Sequence, residues 1–133
     1  MTRPPAATTV WIVDDDLGFV WWLGELFTEA GCRALPALGC ENAVALMKKL
    51  HVGIDVLIIN PQLPGAIALL RALSRANPRL KVIATGDTPK AVAAVIRPQA
   101  TLQRPSGSEL ISRLDWLQKV RKLLRDVAAA AVV

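Results

Sequence analysis

The stretch "DVLIINPQLPG", residues 55–65, contains the most strand-like run of the sequence and ends that run with an amide side chain. Four apolar residues lead directly to Asn60, and a proline follows. A short apolar run bounded by turn residues is typical of a buried strand in a parallel sheet. In an open α/β sheet the ligand crevice lies at the carboxyl ends of the strands, so Asn60 is expected where binding or chemistry takes place. An amide there can bind but is a poor nucleophile.

Strand-like and helix-like segments alternate five times around this run. The predicted strands are residues 8–14, 32–35, 56–60, 81–84 and 100–103, and the predicted helices are residues 17–30, 41–50, 66–76, 88–96 and 106–127. This alternation predicts an α/β domain with a doubly wound, five-stranded parallel sheet and right-handed crossovers. The last helix is unusually long. We expect a flexible tail at residues 1–8 and one domain at residues 9–133.

The composition favours a single domain that folds without disulfides or a membrane span. The 133 residues are enough to bury a substantial core. Cys32 and Cys40 lack the paired spacing of a zinc site and are expected to be buried free thiols. The first eight residues lack the apolar core of a signal peptide, and no run approaches the roughly 18 apolar residues of a membrane helix. We therefore expect a cytoplasmic protein that does not enter a membrane.

Charge is divided unevenly along the chain. Residues 1–70 hold 4 Lys/Arg and 7 Asp/Glu, a net charge of −3, whereas residues 71–133 hold 12 and 4, a net charge of +8. A basic half is compatible with nucleic-acid binding. Basic residues spread along several amphipathic helices are more often a solvated surface, however. Since the sequence has no recognition-helix motif or aromatic platform, nucleic-acid binding is the weakest alternative.

Three carboxylates, Asp14, Asp15 and Asp16, follow the first predicted strand and are expected beside Asn60 at the edge of the crevice. Clustered carboxylates favour a hard cation such as Mg²⁺, which takes one or two of them together with water and phosphate oxygens. We assign Asp14 and Asp15 to such a site. Asp16 is explained more simply as the N-cap of the first helix.

Four motifs in this order and spacing resemble the receiver domain of response regulators, the phosphoacceptor module of two-component signalling. They are "IVDDD", "LIINPQLPG", "IATGD" and "LQRP", and the resemblance covers about residues 8–124. It implies a (βα)5 flavodoxin-like fold. By position, Asp14 and Asp15 fall on the acidic pair that binds Mg²⁺ in the family, and Asn60 falls on its phosphoacceptor aspartate. Pro64 matches the proline of the following loop.

The resemblance also assigns the positions that sense the phosphoryl group. Thr85 falls on the switch hydroxyl, Thr101 on the aromatic switch residue, and Arg104 with Pro105 on the lysine–proline pair. Arginine and lysine are not interchangeable at a tight site, and threonine has no aromatic ring to move. The acceptor, the lysine and the aromatic residue all serve phosphorylation, so their joint replacement indicates a retired switch. The alternative is an altered receiver that responds to another trigger.

The resemblance therefore implies a pseudo-receiver, a signalling module of a phosphorelay-type system that acts by protein–protein contact. We expect no enzymatic activity and no required cofactor, with only weak Mg²⁺ binding at Asp14 and Asp15. An amide at position 60 can donate hydrogen bonds to either carboxylate and so imitate one state. A small Mg²⁺-dependent hydrolase is the main alternative, because residues 14–16 also have the DxD spacing of haloacid-dehalogenase-type phosphatases.

The first helix carries apolar residues on more than one face, which predicts a contact surface. Trp21 lies with Leu17, Val20 and Gly24 on a second apolar face, which must be covered by the chain itself or by a partner. We expect a protein partner or a homodimer that uses the first or the last helix. Trp21 and Trp116 are the candidate contact residues.

Overall fold

The computed structural model of the protein describes residues 8–50, 53–85 and 100–101, together with helical residues 118 and 121–122. Its elements are β1 (Thr9–Asp14), α1 (Leu17–Glu29), β2 (Arg33–Leu38), α2 (Cys40–Leu50), β3 (Val56–Ile59), α3 (Ala66–Ala76), β4 (Lys81–Ala84) and the two-residue β5 (Ala100–Thr101). All strand pairs are parallel, in the order β2-β1-β3-β4-β5. The predicted α/β architecture with a parallel sheet is confirmed for β1 to β4 and the three helices.

Several predicted features lie outside the described residues. These are the N-terminal tail before Thr8, the fourth helix, the fifth strand beyond Thr101, and most of the long last helix. The candidate site residues Arg104 and Pro105 and the candidate contact residue Trp116 lie there too. The predictions made for them stay predictions.

The core is built as two layers, one on each face of the sheet. Strand side chains alternate between the layers: Val10, Ile12, Val56, Ile58 and Ile83 pack with α1, whereas Trp11, Val13, Leu57, Ile59 and Val82 pack with α2 and α3. A strand covered on both faces needs apolar residues at every position. This explains why the sequences of β1 and β3 are continuous apolar runs.

The second strand begins later and extends further than the predicted residues 32–35. Its start is delayed because Gly31 adopts a left-handed φ of 89° and the Cys32 N–H still donates to the Phe27 carbonyl. The strand also continues through Pro36, because β2 is an edge strand. The Arg33 N–H donates to the Thr8 carbonyl, and strand backbone groups alternate in direction, so position 36 faces away from β1. A missing N–H there removes no hydrogen bond from the sheet.

The buried face of α1 is wide, whereas that of α2 is narrow. Val20, assigned to the second apolar face of α1, is only 2% exposed, but Leu17 and Trp21 are 63% and 67% exposed. In α2 the apolar residues Val44 and Leu50 are exposed, and Ala43 is fully buried. The α2 helix packs on β2 and β1, where the sheet ends, so only a narrow stripe of it meets the sheet.

Both cysteines are free, as expected, although only Cys40 is fully buried and Cys32 is half-buried. Burial raises the pKa of both thiols, because the thiolate loses solvation. Among the helices of the described residues, none combines the length and the apolar character needed to cross a membrane.

Replacing Gly65 by alanine is expected to destabilise the fold. Gly65 precedes α3 with a left-handed φ of 83°, and an added Cβ would lie 3.4 Å from the Cys40 Cβ. We expect Gly65→Ala to lower the free energy of unfolding by about 1–2 kcal/mol. The matched control is Gly24→Ala within α1, where an added Cβ meets nothing within 4 Å. The control should raise stability by about 0.5–1 kcal/mol. Urea unfolding followed by tryptophan fluorescence measures both, and effects of the same sign would contradict the prediction.

Candidate functional site

Three buried polar side chains lie together at the carboxyl ends of neighbouring strands. Asp14 is the last residue of β1, Asn60 follows β3 directly, and Thr85 follows β4 directly. They are 1%, 9% and 4% exposed. Backbone hydrogen bonds fix the three ends against each other, since the Asn60 N–H donates to the Val13 carbonyl at 3.1 Å and the Thr85 N–H donates to the Ile59 carbonyl at 3.0 Å. Asn60 therefore lies at the carboxyl ends of the strands, where the sequence pattern predicted it.

The Asp14 carboxylate is buried and accepts several hydrogen bonds. Its Oδ1 accepts the N–H groups of Asp15 at 2.7 Å and Asp16 at 3.2 Å. Its Oδ2 accepts the Thr85 hydroxyl at 3.3 Å. A carboxylate has about four lone-pair positions, so at least three are used. These bonds offset the desolvation of a buried charge, which is large for an unpaired carboxylate.

Asn60 is held by its own loop. Its side-chain Oδ1 accepts the Gln62 N–H at 3.0 Å, and its carbonyl accepts the Leu63 N–H at 3.2 Å. A side chain that bonds the backbone two residues further on forms an Asx-turn, and asparagine favours this arrangement. The amide oxygen is thus committed to the turn between β3 and α3. The expected donation from Asn60 to Asp14 or Asp15 stays a prediction.

The two threonine positions of the resemblance are brought close by the backbone. In the parallel ladder between β4 and β5, Thr101 is the partner of Ala84, which immediately precedes Thr85. The Thr85 hydroxyl donates to Asp14, so it faces the end of β1. The ends of β1, β3 and β4 and the neighbouring position 101 therefore form one continuous edge.

The remaining two acidic residues have different environments. Asp16 is the N-cap of α1: its backbone is extended, with φ −92° and ψ 102°, and its Oδ1 accepts the Phe19 N–H at 3.1 Å. The prediction that Asp16 caps the first helix is confirmed. Asp15, which lies between it and Asp14, is exposed. Of the three adjacent carboxylates, only Asp14 lies buried in the crevice.

The donor set of this edge fits a resident Mg²⁺ ion poorly. Among the described residues there is no group of three or more His, Cys, Asp or Glu side chains placed to hold a metal. At least three of the Asp14 lone-pair positions already accept N–H or O–H donors. An asparagine at position 60 contributes no negative charge. Weak Mg²⁺ binding at Asp14 and Asp15 stays a prediction, and no chemical step is derived through it.

The sequence predicted which residues lie at the carboxyl ends of β1, β3 and β4, but it did not predict the hydrogen bonds between them. The hydrogen bond from Thr85 to Asp14 joins residues 71 positions apart, and the local sequence around neither residue indicates it. The local sequence does indicate the Asx-turn at Asn60, because asparagine before a proline favours turn initiation. Trp21, predicted as a contact residue, has an exposed ring whose Nε1 donates to Glu25 Oε1 at 3.1 Å.

The parallel sheet with helices on both faces has the fold of CheY-like receiver domains, as the similarity to solved structures shows. No protein-family model matches the sequence, and no curated protein sequence matches it either. Solved structures do. A CheY-like response regulator receiver domain protein from Methanospirillum hungatei is 17% identical with a TM-score of 0.74, and the match covers 94% of this chain and 99% of that one.

Two further solved structures show the same similarity. The signal receiver domain of an HD domain-containing protein from Pseudomonas fluorescens is 18% identical, with a TM-score of 0.72 and coverage of 92% and 98% of the two chains. The response regulator TrrA from Thermotoga maritima, solved in complex with Mg²⁺ and BeF, is 20% identical, with a TM-score of 0.62 and coverage of 87% and 98%. At these identities the similarity establishes the fold, and function has to be argued from the residues.

Removing the Thr85 hydroxyl is expected to destabilise the protein. Thr85→Val keeps the side-chain shape but leaves the buried Asp14 Oδ2 without this donor, so we expect the free energy of unfolding to fall by about 1–3 kcal/mol. Thr28→Val is the matched control, because the Thr28 hydroxyl donates to the Gly24 carbonyl at an exposed site. The control should change stability by no more than about 0.5 kcal/mol. If chemical denaturation gave the two variants equal losses in the free energy of unfolding, the hydrogen bond to Asp14 would contribute no more than an exposed one.

Substitution of Asp16 separates helix capping from a role in the crevice. Asp16→Ala removes the acceptor of the Phe19 N–H and should lower the free energy of unfolding by about 1 kcal/mol. Asp16→Asn keeps an amide oxygen at the cap and should stay close to wild type. Thermal unfolding of both variants gives the comparison. A large loss in Asp16→Asn would indicate that the charge, and not the cap, is what the position supplies.

Proposed function

We propose that the protein is a signalling module with the receiver fold that works through contact with a protein partner and is not switched by its own phosphorylation. The observation that carries this proposal is the buried asparagine at the carboxyl end of β3. The resemblance places the phosphoacceptor aspartate of receivers at this position. Asp14 and Thr85, which keep the residue types of the family, lie at the same strand ends. The acceptor is therefore lost from a site that keeps two of its other groups.

The chemistry of the amide supports this proposal. An aspartate accepts a phosphoryl group because a charged carboxylate oxygen attacks phosphorus and forms an acyl phosphate. The oxygen of an amide carries no full charge, and its nitrogen lone pair is delocalised. In Asn60 the oxygen also accepts the Gln62 N–H at 3.0 Å, so it is turned to the loop backbone. Neither amide atom is suited to the attack.

The residue that follows Asn60 supports a permanent loss of the acceptor. Asparagine ordinarily deamidates to aspartate when the backbone nitrogen of the next residue attacks the side-chain carbonyl carbon and closes a cyclic imide. The next residue here is Pro61, whose nitrogen carries no hydrogen. The imide route is therefore closed at this position. Ageing of the protein is not expected to regenerate an aspartate at position 60.

The switch hydroxyl is also engaged in a way that suits a fixed state. In the resemblance, Thr85 grips the phosphoryl group, but here its hydroxyl donates to Asp14 Oδ2. That bond helps to satisfy a buried carboxylate, so moving Thr85 towards a phosphate would leave Asp14 short of a donor. Thr101 supplies no aromatic ring to follow such a movement. Both observations support a module that keeps one arrangement of the edge.

The hydrolase alternative is not favoured by the geometry of the DxD residues. Asp16 Oδ1 accepts the Phe19 N–H as a helix cap, and Asp14 is bonded to backbone donors and Thr85. Each carboxylate accepts hydrogen bonds that hold the local structure, and it would lose them if it acted as a nucleophile or a general acid. We therefore propose that the protein is not an enzyme. A cytoplasmic location and the lack of a nucleic-acid partner remain predictions.

Restoring the carboxylate at position 60 tests the proposal. After treatment with acetyl phosphate and Mg²⁺, intact-mass measurement should show no phosphate adduct on the wild-type chain and a partial adduct on Asn60→Asp. The double variant Asn60→Asp with Arg104→Lys should take up more, because a compact ammonium replaces the planar guanidinium. Mg²⁺ affinity should also rise in Asn60→Asp, since the site gains a carboxylate.

The matched control for this experiment is Asn42→Asp. Asn42 is exposed, and its Oδ1 accepts the Leu38 N–H, a bond that a carboxylate can also accept. The Asn42→Asp variant places a new aspartate away from the crevice and should gain no phosphate adduct. A hydroxylamine-labile phosphate adduct on the wild-type chain would overturn the proposal.

A further inference from the structure

A groove of about 440 Å³ lies between α1 and the edge strand β2. One wall is formed by α1, including Trp21, Gly24 and Glu25, and the other by Ala34 and Pro36 of β2. These walls are separate from the strand ends that hold the buried polar side chains. The groove is therefore a second surface of the domain, which the site at the strand ends does not use.

An exposed apolar patch continues this groove towards the start of α1. Leu17 and Trp21 are 63% and 67% exposed and lie one turn apart on that helix. Leu38 of β2 is 49% exposed. Side chains of a strand alternate between its two faces, and Ala34 packs in the core layer of α1, so Leu38 also lies on the α1 side of the sheet. Three exposed large hydrophobic side chains therefore share one face of the domain.

The Trp21 ring is held at the surface beside a carboxylate. Its Nε1 donates to Glu25 Oε1 at 3.1 Å, one turn further along α1. The face of a tryptophan ring attracts guanidinium and ammonium groups, and a carboxylate pairs with the same groups. A single basic side chain of a partner can therefore contact the Trp21 ring and the Glu25 carboxylate together.

The charge of the groove also favours a cationic occupant. Among the described residues that line it, the charged ones are Glu25 and Glu29, both acidic, and the sequence of α1 contains no Lys or Arg. Glu29 is the last residue of α1, at the end where the helix dipole is negative. Cations are favourable at that end of a helix, whereas anions are not. An occupant that is both apolar and basic fits this surface best.

The free edge of β2 does not favour an added strand as that occupant. Three positions of β2 face away from β1, namely residues 34, 36 and 38. Pro36 has no N–H, and the Leu38 N–H donates to Asn42 Oδ1 at 3.2 Å. A further strand would find at most one donor, at Ala34, whereas strand addition depends on a row of them. A helix needs no such donors, because its backbone groups are paired internally.

We propose that the α1–β2 groove binds a basic amphipathic helix of a partner protein. The apolar face of that helix packs on Leu17, Trp21 and Leu38, and an Arg or Lys at the margin of this face stacks on the Trp21 ring and pairs with Glu25. Helices that bind in grooves are held by apolar anchors about one turn apart. The inference rests on the proposed function only in that the module acts through contact with a protein partner.

Two designed peptides and the full chain test the proposal. Both peptides are about 18 residues long, enough for about five helical turns, and both carry leucine along one face. One has arginine at the margins of that face and the other has glutamate there. Fluorescence anisotropy of the labelled peptides gives the dissociation constants. The arginine peptide should bind at least about tenfold more tightly than the glutamate peptide, because the latter places like charges beside Glu25.

Variants of Trp21 and Glu25 locate the binding site. Trp21→Ala should raise the dissociation constant of the arginine peptide by at least about tenfold, as expected for a central aromatic contact. Glu25→Gln keeps an oxygen that can accept the Trp21 Nε1–H but removes the charge, and should raise it about two- to fivefold at low salt. Glu41→Gln is the matched control, because Glu41 is an exposed glutamate on α2, on the opposite face of the sheet. Circular dichroism checks that each variant is folded.

A pair of leucine variants tests the apolar patch. Leu38 and Leu50 are 49% and 46% exposed, but Leu50 ends α2 on the opposite face of the sheet. Leu38→Ser should weaken binding of the arginine peptide about three- to tenfold, as expected when about half of a leucine side chain is no longer buried. Leu50→Ser should leave the dissociation constant unchanged.

Three results would overturn the proposal. They are equal affinity for the two peptides, a folded Trp21→Ala that binds the arginine peptide like wild type, and a wild-type chain that sediments as a dimer which Trp21→Ala dissociates. The last result would show that a second copy occupies the groove. None of these measurements involves phosphate, so a failure here leaves the acetyl phosphate experiment on Asn60 unaffected, and a phosphate adduct there leaves peptide binding unaffected.

Discussion

The buried carboxylate of Asp14 constrains the end of the sheet where β1, β3 and β4 finish. A charge that is 1% exposed must be surrounded by donors, and these come from the two following N–H groups and from Thr85. The first two donors require the chain to turn immediately after β1, and the same turn positions Asp16 to cap α1. The third donor requires β4 to end in register with β1. One side chain thus links the start of the first helix to the end of the fourth strand.

This constraint gives the amide at position 60 a physical role. The backbone places Asn60 one residue beyond Ile59, which pairs with Val13, so position 60 lies beside Asp14. A second carboxylate there would face a buried like charge, which is unfavourable unless a cation lies between them. The neutral amide removes that requirement. The described hydrogen bonds then stabilise the edge, and under the proposed function a retired acceptor and a dispensable cation would both follow from one substitution.

Some parts of this architecture could be predicted from the sequence and others could not, for identifiable reasons. The α3 helix and β4 were predicted with their observed bounds, because a helical apolar period and a compact apolar run are local patterns. The course of β2 was missed, because a proline is acceptable only at a sheet edge, and edge position is a property of the whole topology. The bond from Thr85 to Asp14 was missed for the same reason, since it depends on which strands are neighbours.

Under the proposed function, a module with a fixed edge and an exposed Trp21 has a different kind of output from a switch. A ligand changes the population of two conformations only by its difference in affinity for them, and phosphorylation supplies that difference in a receiver. Without an acceptor, no phosphoryl group can distinguish two states of the Asn60 edge. The surface around Trp21 would then be available at all times, and its occupancy would follow from the concentration and affinity of what binds it. Changes in the amount of protein or partner, and not in the state of position 60, would carry the signal.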